Sequence, residues 1–469
     1  MTDAPPQNPA NGSIPVPVDD VQGFVLRTYA MPALRVFVLE VVSAERAAQF
    51  LAATVSGDSS IPQLTAGTLW TTKPSSCLNV GFTHAGLAAM RLPEASLASF
   101  PAEFVEGAVK RAPLVGDIGD SAPEHWRGNL AGNAVHLLLF LFAQSTEVLE
   151  RVSATLRTMF AEGPAFKELS SHDGGALPGN VAHFGYTDGF GQPSIEGGFP
   201  PAAIDILPKA PAGEFLLGYP SQYTGLTYSV PTPADQLGKN GSFVAFRMLE
   251  QDSDAFEEFL TSASQQSGLD RELIAEKLCG RWRNGVPLAL SPDSPDLDLP
   301  PEQYNTFDYA PTAELPDAYD DRRGYRCPIG SHIRRMNPRH SVVAGNSGLK
   351  HRIVRRGLPY GPLYDPQQPR DGIARGLLGL FIGVSLKDQF EFLMSDWVNK
   401  GAFAPGLKET RDPILGDNSA ADAKFLLPVE GRKAIELNGL SRFIWCRGAA
   451  YCFLPSLTAI RYLSAMHAG

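Results

Sequence analysis

Four stretches of the chain share one pattern, in which an apolar, β-branched run passes through a polar hinge into apolar residues at helical spacing. They fall at residues 33–56, 134–160, 241–266 and 374–399, for example AVHLLLFLFA followed by QSTEVLERVSATLRTMF in the second. Each predicts a strand and then an amphipathic helix, and in the first unit Ser43, with Glu45 close behind, reads as an N-cap. The units form two pairs with internal spacings of about 100 and about 130 residues, which predicts a duplication. No strand run leads into phosphate-loop glycines. The expected fold class is therefore α+β, two ferredoxin-like domains with antiparallel sheets and helices packed on one face.

The length fits two domains. Residues 1–18 read as a disordered N-terminal arm, 19–200 as the first domain, the proline-rich 201–214 as a linker and 215–469 as the second domain. Residues 286–303 and 361–373, rich in Pro and Asp, read as surface loops.

With 43% hydrophobic and 19% charged residues the composition is that of a globular protein. A net charge of −10 argues against nucleic acid and anionic membranes as partners, since both reward clustered Lys and Arg. Five cysteines without a CxxC spacing predict neither a disulfide framework nor a zinc site. The start has no basic and apolar leader pattern, and the most apolar run is too short to span a bilayer, so the expectation is a cytoplasmic protein with reduced thiols. Homo-oligomerisation is left open.

Chemistry concentrates in three segments. HFGYTDGFGQPSIEGG (183–198) sets one acid, Asp188, among glycines, where backbone takes positive φ or something approaches the main chain closely. YRCPIGSHIRRMNPRH (325–340) delivers His332 from a turn, and HRIVRRGLPYGPLY (351–364) carries Arg352, Arg355 and Arg356. One histidine with its second nitrogen tied to an acceptor is the usual protein ligand of haem iron, although a structural histidine beside a solvated basic turn explains the same residues. His183 and Cys327 are rival ligands, and no GxSxG supports a serine hydrolase.

GYTDG (185–189), CPIGSHIRRMNPR (327–339) and HRIVRRGLPYG (351–361), in this order, resemble the GxxDG, proximal-histidine and distal-arginine segments of the dye-decolorizing peroxidases. The likeness extends to DVQGFVLR (20–27), LNVGFTHAGL (78–87), RGLLGLFIGVSLKDQFEF (375–392), RDPILG (411–416) and YCFLPSLTAIRYL (451–463), and so covers nearly the whole chain. The resemblance implies a haem b (iron protoporphyrin IX) between the two ferredoxin-like domains, inside the C-terminal one. It implies reduction of hydrogen peroxide through a ferryl intermediate, with dyes, phenols or other one-electron donors as reductants; a haem carrier or sensor without turnover is the alternative. His332 would be the axial metal ligand, Asp188 the distal acid, Arg355 the distal arginine and Asp412 the acid behind the histidine. Gly185, Gly189, Phe190, Gly191, Gln192, Arg355, Leu380 and Ile382 would line the cofactor. The chain departs from the family at Ile382, where Phe is frequent, at Gly357, where one branch has Asn, and at Gly448-Ala449-Ala450 in place of Gly-Gly. Trp126, Trp282, Trp397 and Trp445 are candidates to relay electrons from dyes too large for the pocket.

Overall fold

Strand β1 (Ala33–Val41) is buried along nearly its whole length, because its Val, Leu and Phe side chains are covered on both faces. It leads into α1 (Ala44–Thr54) through Ser43, whose hydroxyl accepts from Arg46 N as an N-cap. β2 (Ser76–Phe82), β3 (Leu137–Ala143), α2 (Thr146–Ala161) and β4 (Phe166–Gly175) complete the first half. The second half has β5 (Ser242–Gln251), α3 (Ser253–Ser267), α4 (Arg271–Cys279) and the short α5 (His332–Met336). Its further sheet strands are β6 (Val354–Tyr360), β7 (Gly376–Gly383) and β8 (Ile444–Leu454), and a helix over Leu457–Ala465 follows. This computed structural model describes residues 15–161, 163–199, 206–343, 346–407 and 409–467. Residues 1–14 of the expected arm and 201–205 of the expected linker lie outside the described residues.

These eight strands form one sheet in the order β4-β1-β3-β2-β8-β5-β7-β6, antiparallel throughout. Counted within each half, the order is 4-1-3-2 twice over, so the duplication read from hydrophobic periodicity is a duplication of topology, and both halves are ferredoxin-like. Within the sheet the halves join at the single residue pair Phe82 and Phe453, and ion pairs such as Arg111 with Glu391 and Asp117 with Arg247 join them elsewhere. Aromatic packing reinforces the seam, with the Phe453 ring 5.6 Å from Phe243 and 5.2 Å from Phe100.

One expected helix takes a different form. After β7 the chain winds through two wide, π-type turns, Leu386–Glu391 and Leu393–Val398. The buried Gln389 accounts for the first. Its Oε1 accepts from Val384 N and Ser385 N, while its Nε2 donates to Glu214 O and Arg352 O, so the side chain knits the turn to two other segments. Of the expected loop 286–303, Val286 and Leu288 are fully buried and only the part beyond them is surface. A second core, built by Phe184, Tyr186, Phe256, Ile274, Leu278 and Phe443, lies between α3, α4 and the glycine-rich loop and anchors that loop in the C-terminal half.

Candidate active site

The glycine-rich loop is a tight hairpin held at several points. Gly185 has φ +84°, and a Cβ there would fall 2.7 Å from Arg283 Nη1, so the position requires glycine on two counts. Arg283 grips the hairpin by its guanidinium, which donates to Phe184 O, and by its backbone carbonyl, which accepts from Thr187 N at 2.8 Å. The guanidinium is itself held at 2.6 Å by Glu272. Tyr186 Oη donates to Ala275 O at 2.7 Å, and Asn180 brackets Asp188 by accepting from its N–H at 3.0 Å and donating to its carbonyl at 2.7 Å. Asp188 is thereby fixed on a rigid platform.

Across from it, Arg355 stands on β6. Its Nη2 lies 3.5 Å from Asp188 Oδ1 and donates to Gly191 O at 3.0 Å. Gln192 straps the same loop to β6, its Nε2 donating to Arg355 O and its Oε1 accepting from Arg355 N. The positive charge of Arg355 holds the Asp188 carboxyl below its ordinary range against the opposing effect of burial, helped by Gly189 N, His332 and Arg281. Asp188 keeps 56% of its side-chain surface open beside Arg355.

His332 is the first residue of α5. Its Nδ1 meets Asp412 Oδ2 at 2.9 Å, and Asp412 is wholly buried. Burial pushes the Asp412 carboxyl up, but His332, the Leu415 N–H and Arg335 together outweigh it and leave a carboxylate held low. The other oxygen, Oδ1, accepts from Ile414 N and Leu415 N. An acid so placed fixes the imidazole tautomer with its proton on Nδ1 and leaves the Nε2 lone pair outward. Nε2 has no hydrogen-bond partner among the described residues. The rivals fall away: His183 is buried with Nε2 against Tyr360 O at 2.8 Å, and Cys327 is wholly buried, its thiol pushed up by desolvation.

Other expected lining residues divide. Phe190 turns from Asp188 into a slot over Gly285, with its ring 5.4 Å from the Arg281 guanidinium and 5.5 Å from Tyr304. Leu380 and Ile382 do not face the site. Cross-strand partners share a face, and Arg355 pairs with Phe381, whereas Leu380 pairs with Arg356 and Ile382 with Val354. Both aliphatic side chains are fully buried in the main core on the opposite face of β7. The site face of β7 carries Leu377, Gly379 and Phe381, and the Phe381 ring folds over Gly379, where a Cβ would lie 2.9 Å from Phe381 Cε2. Trp126 and Trp397 are buried, which removes them as surface relays.

Two further buried arginines complete the site. Arg281 donates to Gly285 O, Tyr304 O and Asn305 Oδ1, all neutral, and burial together with Arg339 pushes its pKa down to about 10. Arg339 shares Asn305 Oδ1 at 3.3 Å and lies over Phe307 at 3.7 Å. Two buried guanidinium groups that share one amide oxygen make a positive region suited to a carboxylate. A lone imidazole whose Nε2 has no hydrogen-bond partner among the described residues, an open carboxylate beside a guanidinium, and two buried arginines together fit an iron porphyrin with its carboxylates. Among the described residues no group of three or more His, Cys, Asp or Glu could hold a bare metal ion instead.

The chain is 30% identical over 418 residues to Peroxidase 2 of Mycetinis scorodonius, covering 83% of this chain and 76% of that protein. It belongs to the dye-decolorizing peroxidases. Multifunctional dye peroxidase DyP2 of an Amycolatopsis species is 28% identical and matched over 97% of each chain. A fungal DyP-type peroxidase structure from Auricularia auricula-judae superposes with a TM-score of 0.78 at 25% identity, over 97% of this chain and all of that one. No protein-family profile matches the chain. As a dye-decolorizing peroxidase it is a haem enzyme and an oxidoreductase acting on peroxide. Among the described residues no helix is long and apolar enough to cross a membrane.

Proposed function

We propose that this peroxidase reduces hydrogen peroxide on a b-type haem ligated by His332, with Asp188 as the proton carrier and Arg355 as the fixed cation. Dyes, phenols or related one-electron donors are its reductants. When bound, the haem supplies the redox chemistry, accepting two oxidising equivalents and passing them on one electron at a time. The observation that carries the reading is a carboxylate and a guanidinium 3.5 Å apart, the carboxylate with 56% of its side-chain surface open. One positioned carboxylate can take the proton from one peroxide oxygen and deliver it to the other, which leaves as water. Arg355 opposes the negative charge that grows on the departing oxygen, a preorganised contribution because Gly191 O already holds the guanidinium in place.

Asp412 orients the imidazole so that Nε2 would hold the metal of a bound haem, and it would keep the ring electron-rich. Arg281 and Arg339 would receive the porphyrin carboxylates. All five cysteines are buried free thiols, which supports a reducing, cytoplasmic setting. The test is an absorption spectrum of the protein and of His332→Ala after haemin addition, followed by mixing with hydrogen peroxide. A Soret band that shifts with peroxide in the parent and loses its ligand signature in the variant is the expected result. A variant spectrum identical to the parent's would sink the assignment of the ligand.

A further inference from the structure

Beyond the candidate active site, a cavity of about 280 Å³ opens between segments 289–290, 306–308 and 315–319. Its walls include Leu290, Phe307, Leu315 and Tyr319, and the charged residues lining it, Asp308 and Asp317, are both acids. Apolar walls with a few placed polar groups are the composition of a small-molecule site, and this one is near the lower end of the size range of such sites. Asp308 is almost wholly buried and held at 2.6 Å by His340 Nδ1, so the cavity has a carboxylate and imidazole pair at its wall. At the mouth, Tyr319 is 44% exposed and its ring is backed by the Arg326 guanidinium at 3.7 Å, which holds an aromatic surface ready for stacking.

The cavity adjoins the arginine layer of the candidate site. Phe307 is both its wall and the ring under Arg339, and Arg339 shares Asn305 Oδ1 with Arg281. One ring therefore separates a molecule lodged in the cavity from the cations assigned to the porphyrin carboxylates.

We propose that this cavity is a docking site for a small neutral or cationic aromatic donor, a phenol or aromatic amine, and that it excludes sulfonated dyes. The proposal rests on the peroxidase reading above. A phenol bound here donates its hydroxyl hydrogen bond to Asp308, gives one electron to the oxidised enzyme and its proton to the Asp308 and His340 pair, and leaves as a phenoxyl radical. Two such donors supply the two electrons and two protons that turn one hydrogen peroxide into two waters. The wall carboxylate of Asp308 accepts a hydrogen bond from a hydroxyl or amine and has none to offer a sulfonate, which brings no donor.

The test fills the cavity with Ala318→Trp, at a half-buried loop position lining it, and uses 2,6-dimethoxyphenol as probe on the haem-loaded enzyme. Equilibrium dialysis should show binding weakened by about tenfold or more, and the KM for the phenol should rise by a similar factor. The kcat/KM for hydrogen peroxide and for a sulfonated anthraquinone dye should stay unchanged. Tyr319→Ala, at an exposed position, should weaken phenol binding in the same direction. Phenol binding and oxidation by Ala318→Trp equal to the parent's would overturn the proposal, as would weakened binding with an unchanged KM. If the parent shows no peroxide turnover, the peroxidase reading fails separately, and dialysis alone then decides whether the phenol sits here.

Discussion

Arg355 and Asp188 form a pair whose separation is set from both ends. The guanidinium is tied to Gly191 O three residues beyond the hairpin acid, and the acid is bracketed by Asn180. Neither partner needs to search for the other when substrate arrives.

The first consequence concerns the carboxylate. Asp188→Asn keeps the shape but cannot carry a proton, so kcat/KM for hydrogen peroxide should fall about 100-fold or more. Haem binding should be unchanged, because Asp188 is not a ligand. Stopped-flow mixing with peroxide, read beside a haemin titration, checks both halves of the expectation.

Acid tolerance is the second. Arg355 is the foremost influence holding the Asp188 carboxyl below its usual range, so the base is ionised at neutral pH and stays so until pH falls through that lowered value. Removing the cation in Arg355→Leu lets burial dominate and raises the Asp188 pKa. The acidic limb of kcat/KM for peroxide against pH should therefore move to higher pH in the variant. A limb that stays in place would show that another group sets it.

A third expectation follows from Asp412. Asp412→Asn leaves His332 without an anionic partner and disturbs the tautomer that presents Nε2. Haem affinity should drop by about 10- to 100-fold, measured by haemin transfer to an apo-globin acceptor.

Gly383 gives a prediction about stability. A Cβ there would fall 2.2 Å from Gln389 Oε1, whose amide is fully buried and bonded to its own turn and to two other segments. The side chain cannot swing aside, so Gly383→Ala should cost about 1–3 kcal/mol in urea unfolding.

The strand and helix units were legible because their apolar periodicity is strong, and the three signature segments were legible because Gly185, Asp188 and His332 lie close to the residues that shape their turns. The facing of β7 was not. GLLGLFIG is apolar on both sides, so nothing in its pattern tells Phe381 from Ile382, and only pairing with β6 does. Arg283 was also invisible, since a basic residue in GRWRNG reads as solvated until the hairpin closes on it. The buried pairing of His332 with Asp412 joins positions 80 residues apart, and the assignment leaned on resemblance rather than on any local signal.

The two copies of the 4-1-3-2 sheet have unequal fates. His332, Arg355 and Asp412 all belong to the second copy, and Asp188 arrives on the hairpin that precedes it, while the first copy meets the second along the sheet at one residue pair. The earlier copy carries none of these side chains, and its sequence is free to drift so long as it keeps the seam at Phe82 and the ion pairs that cross between the halves, such as Asp117 with Arg247 and Arg111 with Glu391. Divergence among relatives should accumulate there first.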